Sequence, residues 1–328
     1  MAITPIDLSG ETVIYGDTPG NIGDHQKAAA QTLSVVSNTG VVNAVGDAGT
    51  LLGHAVGGGD TLTSAGLSGG ALIGDALTIT DQARGGNDNI LAVGRGATEA
   101  VGDALTMSGH AIGGNDTVEA QSHDAAYAFG DAQTMTEHTR GGSDHVTADG
   151  VVSYALGDAV TMSGYAHGGN DIVQADSLYG STAYGDAFSF SGHAIGGDDI
   201  VSGSTTTGTT LLYGDAQTLG GYSIGGNDTL VSGQGNDQMW GDAAVMGPHA
   251  HGGADTFVFS PPNGHDMIMD FQPGRDHIEL KDYPLNSFAD LLPDIHYLPN
   301  GAMITFDSND SIFVAGIHHL SAADFIWA

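Results

Sequence analysis

Aspartate recurs in this 328-residue chain in two regular series. In the first, an Asp preceded by Gly stands at Asp47, Asp75, Asp103, Asp131, Asp158, Asp186, Asp215 and Asp242, at steps of 27 to 29 residues. In the second, an Asp follows each of these at an interval of 13 residues, giving Asp60, Asp88, Asp116, Asp144, Asp171, Asp199, Asp228 and Asp255. Asp237, in GQGNDQMW, adds one more carboxylate, and an earlier imperfect unit, VIYGDTPGNIGD, carries Asp17 and Asp24. Carboxylates repeated in this way are ligands rather than one acid/base pair. Stacked in register, each Asp would meet its neighbours at a strand spacing of about 4.8 Å, well inside a Debye length of about 8 Å. Each like-charge pair then costs about 1 kcal/mol in bulk water and several times more against a low-dielectric wall. The chain has 39 acidic and 6 basic side chains, and only Arg84, Arg95 and Arg140 lie between residues 40 and 258. A divalent cation is the remaining neutraliser, and eight such ions would balance the sixteen charges of the two series. Carboxylates together with the carbonyls of flexible Gly turns form an all-oxygen site of variable geometry, which suits Ca²⁺ better than Mg²⁺ with its strict octahedron.

The elements that must hold these residues are short strands. Residues 101 to 120, VGDALTMSGHAIGGNDTVEA, and residues 156 to 175, LGDAVTMSGYAHGGNDIVQA, agree at 14 of 20 positions. Apolar columns keep step with the Asp columns. Two residues after the second Asp come Leu62, Ile90, Val118, Val146, Val173, Val201, Leu230 and Phe257; two before the first come Val45, Ile73, Val101, Phe129, Leu156, Tyr184, Tyr213 and Trp240. Ala follows every Gly-Asp, from Ala48 to Ala243. No stretch is long and periodic enough for a helix, and a disordered chain would not keep apolar residues in register. The pattern predicts an all-β protein: a parallel β-roll or β-solenoid of about eight coils, each with two strands and two turns, and a β-rich C-terminal cap. Residues 1–40 read as an N-terminal cap or degenerate first coil, 41–258 as the cation-binding repeats, and 259–328 as the C-terminal cap.

A formal charge of −33 excludes nucleic acid as a partner, because such a field repels polyanions. No run of apolar residues is long enough to span a membrane, cysteine is absent, and the start MAITPIDLSG lacks the basic and apolar regions of a cleaved leader. HExxH is absent, and with nearly the whole chain taken up by repeats and cap no catalytic domain is expected, so the protein reads as a non-enzyme. Seven residues after each Gly-Asp aspartate stand His54, Gln82, His110, His138, Tyr165, His193, Tyr222 and His249, a turn place that accepts a flat polar side chain. Thr78, Thr106, Thr134, Thr161 and Thr218 form a further row, which reads as a hydrogen-bonded ladder.

These residues resemble the RTX (repeats-in-toxin, hemolysin-type calcium-binding) family, whose nonapeptide GGxGxDxUx builds a Ca²⁺-binding parallel β-helix. GGNDTL at 225–230 followed by GQGNDQMWGDA at 233–243 is close to that motif, and GGNDNI, GGNDTV, GGSDHV, GGNDIV and GGDDIV keep its second half. The chain departs from the pattern by an insert of about nine residues between GDA and GND, for example LTMSGHAIG, which widens the coil. The segment GGADTFVFSPPNGHDMIMDFQPGRDHIEL and the ending DSIFVAGIHHLSAADFIWA are similar to the last coil, cap and uncleaved C-terminal signal of RTX proteins exported by type I machinery. Phe257, Phe259, Ile268, Phe271, Ile278 and Leu280 would close the open end of the solenoid. The resemblance implies several Ca²⁺ ions, up to about one per coil, and a secreted or cell-surface location.

The sequence therefore leads to the expectation of a secreted, Ca²⁺-folded structural protein, a self-associating matrix, surface-layer or filament subunit. The alternative is an extracellular adhesin or a glycan- or ice-binding module that uses one face of the solenoid against a cell-surface glycan.

Overall fold

The computed structural model describes residues 8, 12–36, 41, 43–66 and 69–327. Most of the MAITPIDLSG start therefore lies outside the described residues. The chain winds into a parallel β-solenoid with three strands per coil, one more than the repeat pattern predicts. In one coil these are Thr98–Val101, Ala104–Met107 and Thr117–Ser122. Each pairs in parallel with its counterparts in the coils on either side: Val101 lies between Ile73 and Phe129, Thr106 between Thr78 and Thr134, and Val118 between Ile90 and Val146. The second stack holds nine strands, from Thr18–Ile22 to Ala243–Met246.

The extra strand comes from the insert. Residues after Gly-Asp run outward as Ala104–Met107, turn at Gly109, and return through a ladder of single bridges, Arg84 to Ile112 to Arg140. The insert has an interior of its own. Ala76, Ile79, Ala83, Ala104, Met107 and Ala111 belong to one buried cluster, whereas Leu72, Ile90, Ala100, Val118 and Ala120 belong to another. Each coil is thus pinched into two apolar lobes, with the Gly-Asp and Gly-Gly-x-Asp segments at the waist. The first and third strands fuse into single long strands at His145–Leu156 and Ile172–Tyr184, with a register shift between Gly150 and Val152.

The two apolar columns read from the sequence separate. Leu62, Ile90, Val118, Val146, Val173, Val201, Leu230 and Phe257 are fully buried in the first lobe. Val45, Ile73, Val101, Phe129, Leu156, Tyr184 and Tyr213 face the other way and pack against Leu77, Leu105 and Phe188, outside the Gly-Asp bend. The inward place on that strand belongs to Ala44, Leu72, Ala100, Ala128, Ala155, Ala183, Leu212 and Met239.

Val13–Tyr15, Thr18–Ile22 and Thr32–Val36 supply a complete coil below Asn43–Val45. At the far end His265–Ile268, His277–Leu280, Ser311–Ala315 and Phe325–Trp327 continue the stacks, and an antiparallel ribbon, Ile295–Leu298 with Gly301–Thr305, pairs onto Ser311–Ala315. Phe257, Phe259, Ile268, Phe271, Ile278 and Leu280 are buried together with Leu291, Ile304 and Val314, closing the first lobe. No helix among the described residues is long and apolar enough to cross a membrane.

Candidate metal centre

The two Asp series line the waist from opposite sides. Within each coil the second Gly of Gly-Gly donates its N–H to the Gly-Asp carboxylate. Gly58 reaches Asp47 at 2.8 Å, Gly86 reaches Asp75 at 2.8 Å, Gly114 reaches Asp103 at 2.9 Å and Gly142 reaches Asp131 at 2.9 Å. The same bond recurs from Gly169 to Asp158, Gly197 to Asp186, Gly226 to Asp215 and Gly253 to Asp242. The second series is knitted between coils: the N–H of Asp60 donates to Oδ1 of Asp88 at 2.6 Å, Asp88 to Asp116 at 2.8 Å, Asp116 to Asp144 at 2.7 Å and Asp144 to Asp171 at 2.8 Å. Asp171, Asp199 and Asp228 carry it on to Asp255.

These bonds use one carboxylate oxygen. All sixteen aspartates are at most 3% exposed, and fourteen of them, all but Asp103 and Asp242, keep a buried oxygen with no hydrogen-bond partner. Carbonyls join them. Among the described hydrogen bonds none ends on the carbonyl of the Gly-Asp glycines, such as Gly102 and Gly130, or of the second Gly-Gly glycines, such as Gly86 and Gly114. The glycines are required because oxygens fill the space a side chain would take. A Cβ on Gly102 would lie 1.7 Å from the Gly130 carbonyl oxygen and 2.2 Å from Oδ2 of Asp116. A Cβ on Gly113 would lie 1.9 Å from Oδ1 of Asp131 and 2.4 Å from Oδ2 of Asp103. The waist is therefore a column of oxygens along the rod, each coil adding two carboxylates and two carbonyls free of N–H donors.

Burial governs the electrostatics. Desolvation, then repulsion from Asp47 and Asp17, pushes Asp60 up to about 7. Desolvation pushes Asp88 up to about 9 and Asp103 to about 6. Asp75, Asp116, Asp131, Asp171, Asp186 and Asp228 are raised well above the carboxylate range by desolvation first and neighbouring Asp charges second. Without a counter-ion, burial favours the protonated form of these groups. A buried charge persists when it is paired or coordinates a metal, and the residues present offer oxygen alone, the donor set of a hard cation.

Both ends of the column are closed by the chain itself. In the first coil Asp17 accepts the N–H of Ala29 at 2.9 Å, and Gln31 stands where the later coils carry the second Asp, its N–H on Oδ1 of Asp60 at 2.7 Å and its side-chain amide on Asp17. Asp24 is displaced from the column to an outer edge beside His54. At the other end Gln272 Nε2 donates to Oδ2 of Asp242 at 2.7 Å, while Arg275 donates to the carbonyl of Gly252 and to Gln272. The Arg275 guanidinium opposes the upward push of burial on Asp242. The second series continues one step further than the repeat implies, since Asp255 donates its N–H to Asp276 at 3.1 Å.

Asp237 stands apart, at another corner of the solenoid. Its Oδ2 accepts from Gly233 at 2.8 Å and its N–H donates to Asp266 at 2.9 Å, and the buried hydroxyls of Thr210 and Ser232 lie beside the two carboxylates. The His/Tyr places form an exposed stack with ring centroids 4.9 to 5.1 Å apart from His110 to His193 and Tyr222. Thr78, Thr106, Thr134 and Thr161 stand in register on the second stack. The string GYSIG at 221–225 fits the GxSxG form of a hydrolase elbow. Its Ser223 is fully buried beside a β-turn rather than exposed between strand and helix, so it does not supply one.

Sequence reasoning missed Gln31, Asp266, Arg275 and Asp276. The spacing from Asp255 to Asp276 is 21 residues, outside the repeat period, and Gln31 is not an acid; the strings PNGHD and PGRD were the available signals. No protein-family model matches the chain, and no curated protein matches it.

Proposed function

We propose that the protein is a secreted, Ca²⁺-binding structural protein whose solenoid is itself the functional part and which folds when Ca²⁺ enters the waist. The observation that carries this reading is the row of fourteen buried, unpartnered carboxylate oxygens facing carbonyls that no N–H satisfies. Leaving one buried polar group unmet costs about 1–3 kcal/mol, more if it is charged. A stack of them is unstable at neutral pH unless cations fill it. Asp47, Asp60 and their counterparts up to Asp242 and Asp255 would hold the ions, with Asp237 and Asp266 a separate site. A bound Ca²⁺ would supply the charge neutralisation that these carboxylates lack. Where Ca²⁺ is scarce, as in a cytosol, Asp repulsion would keep the chain open for export by type I machinery; outside the cell, binding is folding.

Circular dichroism of the chain at neutral pH, in excess chelator and with millimolar Ca²⁺, tests this reading. A strand signal that appears only with Ca²⁺ supports it, and one of full strength in chelator rejects it. Electron microscopy of the Ca²⁺-loaded chain then separates a matrix or filament role, which requires ordered assemblies, from an adhesin or glycan-binding role, which leaves dispersed rods.

A further inference from the structure

One turn at the edge of the insert lobe differs from its counterparts. In later coils the left-handed residue is the one before the ring position, as at Gly53 (φ 68°), Asp81 (φ 61°) and Gly109 (φ 72°). In the first coil it is the ring residue itself, His25, with φ 60°. The preceding residue, Asp24, turns its carboxylate toward the next coil. Its Oδ1 accepts the backbone N–H of His54 at 3.2 Å and lies 2.8 Å from His54 Nδ1. His25 Nε2 lies 3.8 Å from that same oxygen, and the two imidazoles stack with centroids 4.8 Å apart. One ligand atom from each of the three residues lies within 4.8 Å of the others, and all three are exposed.

We propose that Asp24, His25 and His54 bind a divalent transition cation, Zn²⁺ or Cu²⁺, at a site separate from the oxygen column. Two imidazole nitrogens and one carboxylate form a ligand set for Zn²⁺ with a position left open to water. Imidazole suits Zn²⁺ and Cu²⁺, whereas Ca²⁺ takes oxygen, so the two kinds of site sort cations by chemistry rather than compete. The net charge of −33 raises the local concentration of any cation. Elsewhere on the same edge His110 and His138 stack at 4.9 Å, but among the described residues no third ligand joins them, which makes that pair an internal control.

The test is calorimetric titration of Zn²⁺ into the full chain, with and without saturating Ca²⁺. Because the site contains no column aspartate, the titration in saturating Ca²⁺ reads it in the folded chain whether or not the fold itself depends on Ca²⁺. One site is expected, weakened about 10-fold or more by His54→Ala and by Asp24→Asn and changed less than about twofold by His138→Ala. Cu²⁺ bound there should show two nitrogen ligands in its paramagnetic resonance spectrum. Circular dichroism checks that each variant keeps its strands. Absence of Zn²⁺ binding, or equal losses for His54→Ala and His138→Ala, overturns the proposal.

Discussion

The N–H of Asp116 donates to Oδ1 of Asp144 at 2.7 Å, and Oδ2 of that same carboxylate is buried with no partner. One side chain thus carries two separable functions, a backbone clamp between coils and an unmet charge. Asp144→Asn keeps the acceptor and removes the charge. Ca²⁺ should then bind less well, with the folding midpoint in a Ca²⁺ titration rising severalfold, while in chelator at pH 5, where protonation still favours the fold, the metal-free chain gains about 1–3 kcal/mol in urea denaturation because folding no longer has to bury a charge or take up a proton there. A purely structural Asp predicts the opposite for the metal-free chain, so the sign of the second measurement decides.

The raised carboxyls fix the pH dependence. An unfolded Asp titrates near 3.9, whereas in the fold Asp103 stands at about 6, Asp60 at about 7 and Asp88 at about 9. Below about pH 4 both states are protonated, and the contribution of these groups to stability is fully present. As the pH rises the unfolded chain releases its protons first, and stability is lost until the folded carboxyls titrate as well. The metal-free solenoid should therefore be most stable near pH 4 and weaken continuously toward pH 9. Ca²⁺ should reverse the trend, since it binds deprotonated carboxylates. Chemical denaturation at pH 4.5 and 8.5, each in chelator and in Ca²⁺, gives the four values. A metal-free chain that is weaker at pH 4.5 would mean that the columns are not buried.

The repeat, the parallel stack and the membership of both Asp columns were legible because in-register stacking forces one residue type into one place. Where those places lie was not. The period does not reveal that residues such as Ala104, Met107 and Ala111 close a lobe of their own, and that lobe turns a surface Asp turn into an interior waist. Likewise the column through Val101 and Phe129 is as apolar as the one through Val118, yet it packs outside the bend. Apolar periodicity finds a buried face and is silent on which side of the strand it lies. The ends of the column escaped notice because they break the repeat: Gln31 replaces an acid, and the last coil is shortened before Asp276.

Glycine in the waist is a test of packing rather than of charge. Gly102→Ala places a methyl 1.7 Å from the Gly130 carbonyl, which is backbone and can move only with its coil. Overpacking of this kind costs about 1–3 kcal/mol, occasionally more. The loss should appear with Ca²⁺ present and at pH 4.5 without it. Gly180→Ala, whose nearest contact would be 3.9 Å away on Thr209, should stay within about 0.5 kcal/mol. Thermal melting of the two variants side by side reads the difference.

Arg275 occupies the end of the oxygen column and brings the charge that Ca²⁺ is proposed to bring elsewhere. Its guanidinium reaches the Gly252 carbonyl, and Gln272 links it to Asp242. Removing it should leave Asp242 in the position of its unneutralised neighbours. Arg275→Ala is expected to destabilise the metal-free fold at pH 5, where protonation of the columns still favours it, and Asp242→Asn to relieve most of that loss. The coupling between the two should fall within the range of about 0.5–3 kcal/mol seen for residues sharing one network. A double-mutant cycle by urea denaturation measures it. Additive effects would mean that Arg275 braces the cap through packing alone and that the column ends without a cation.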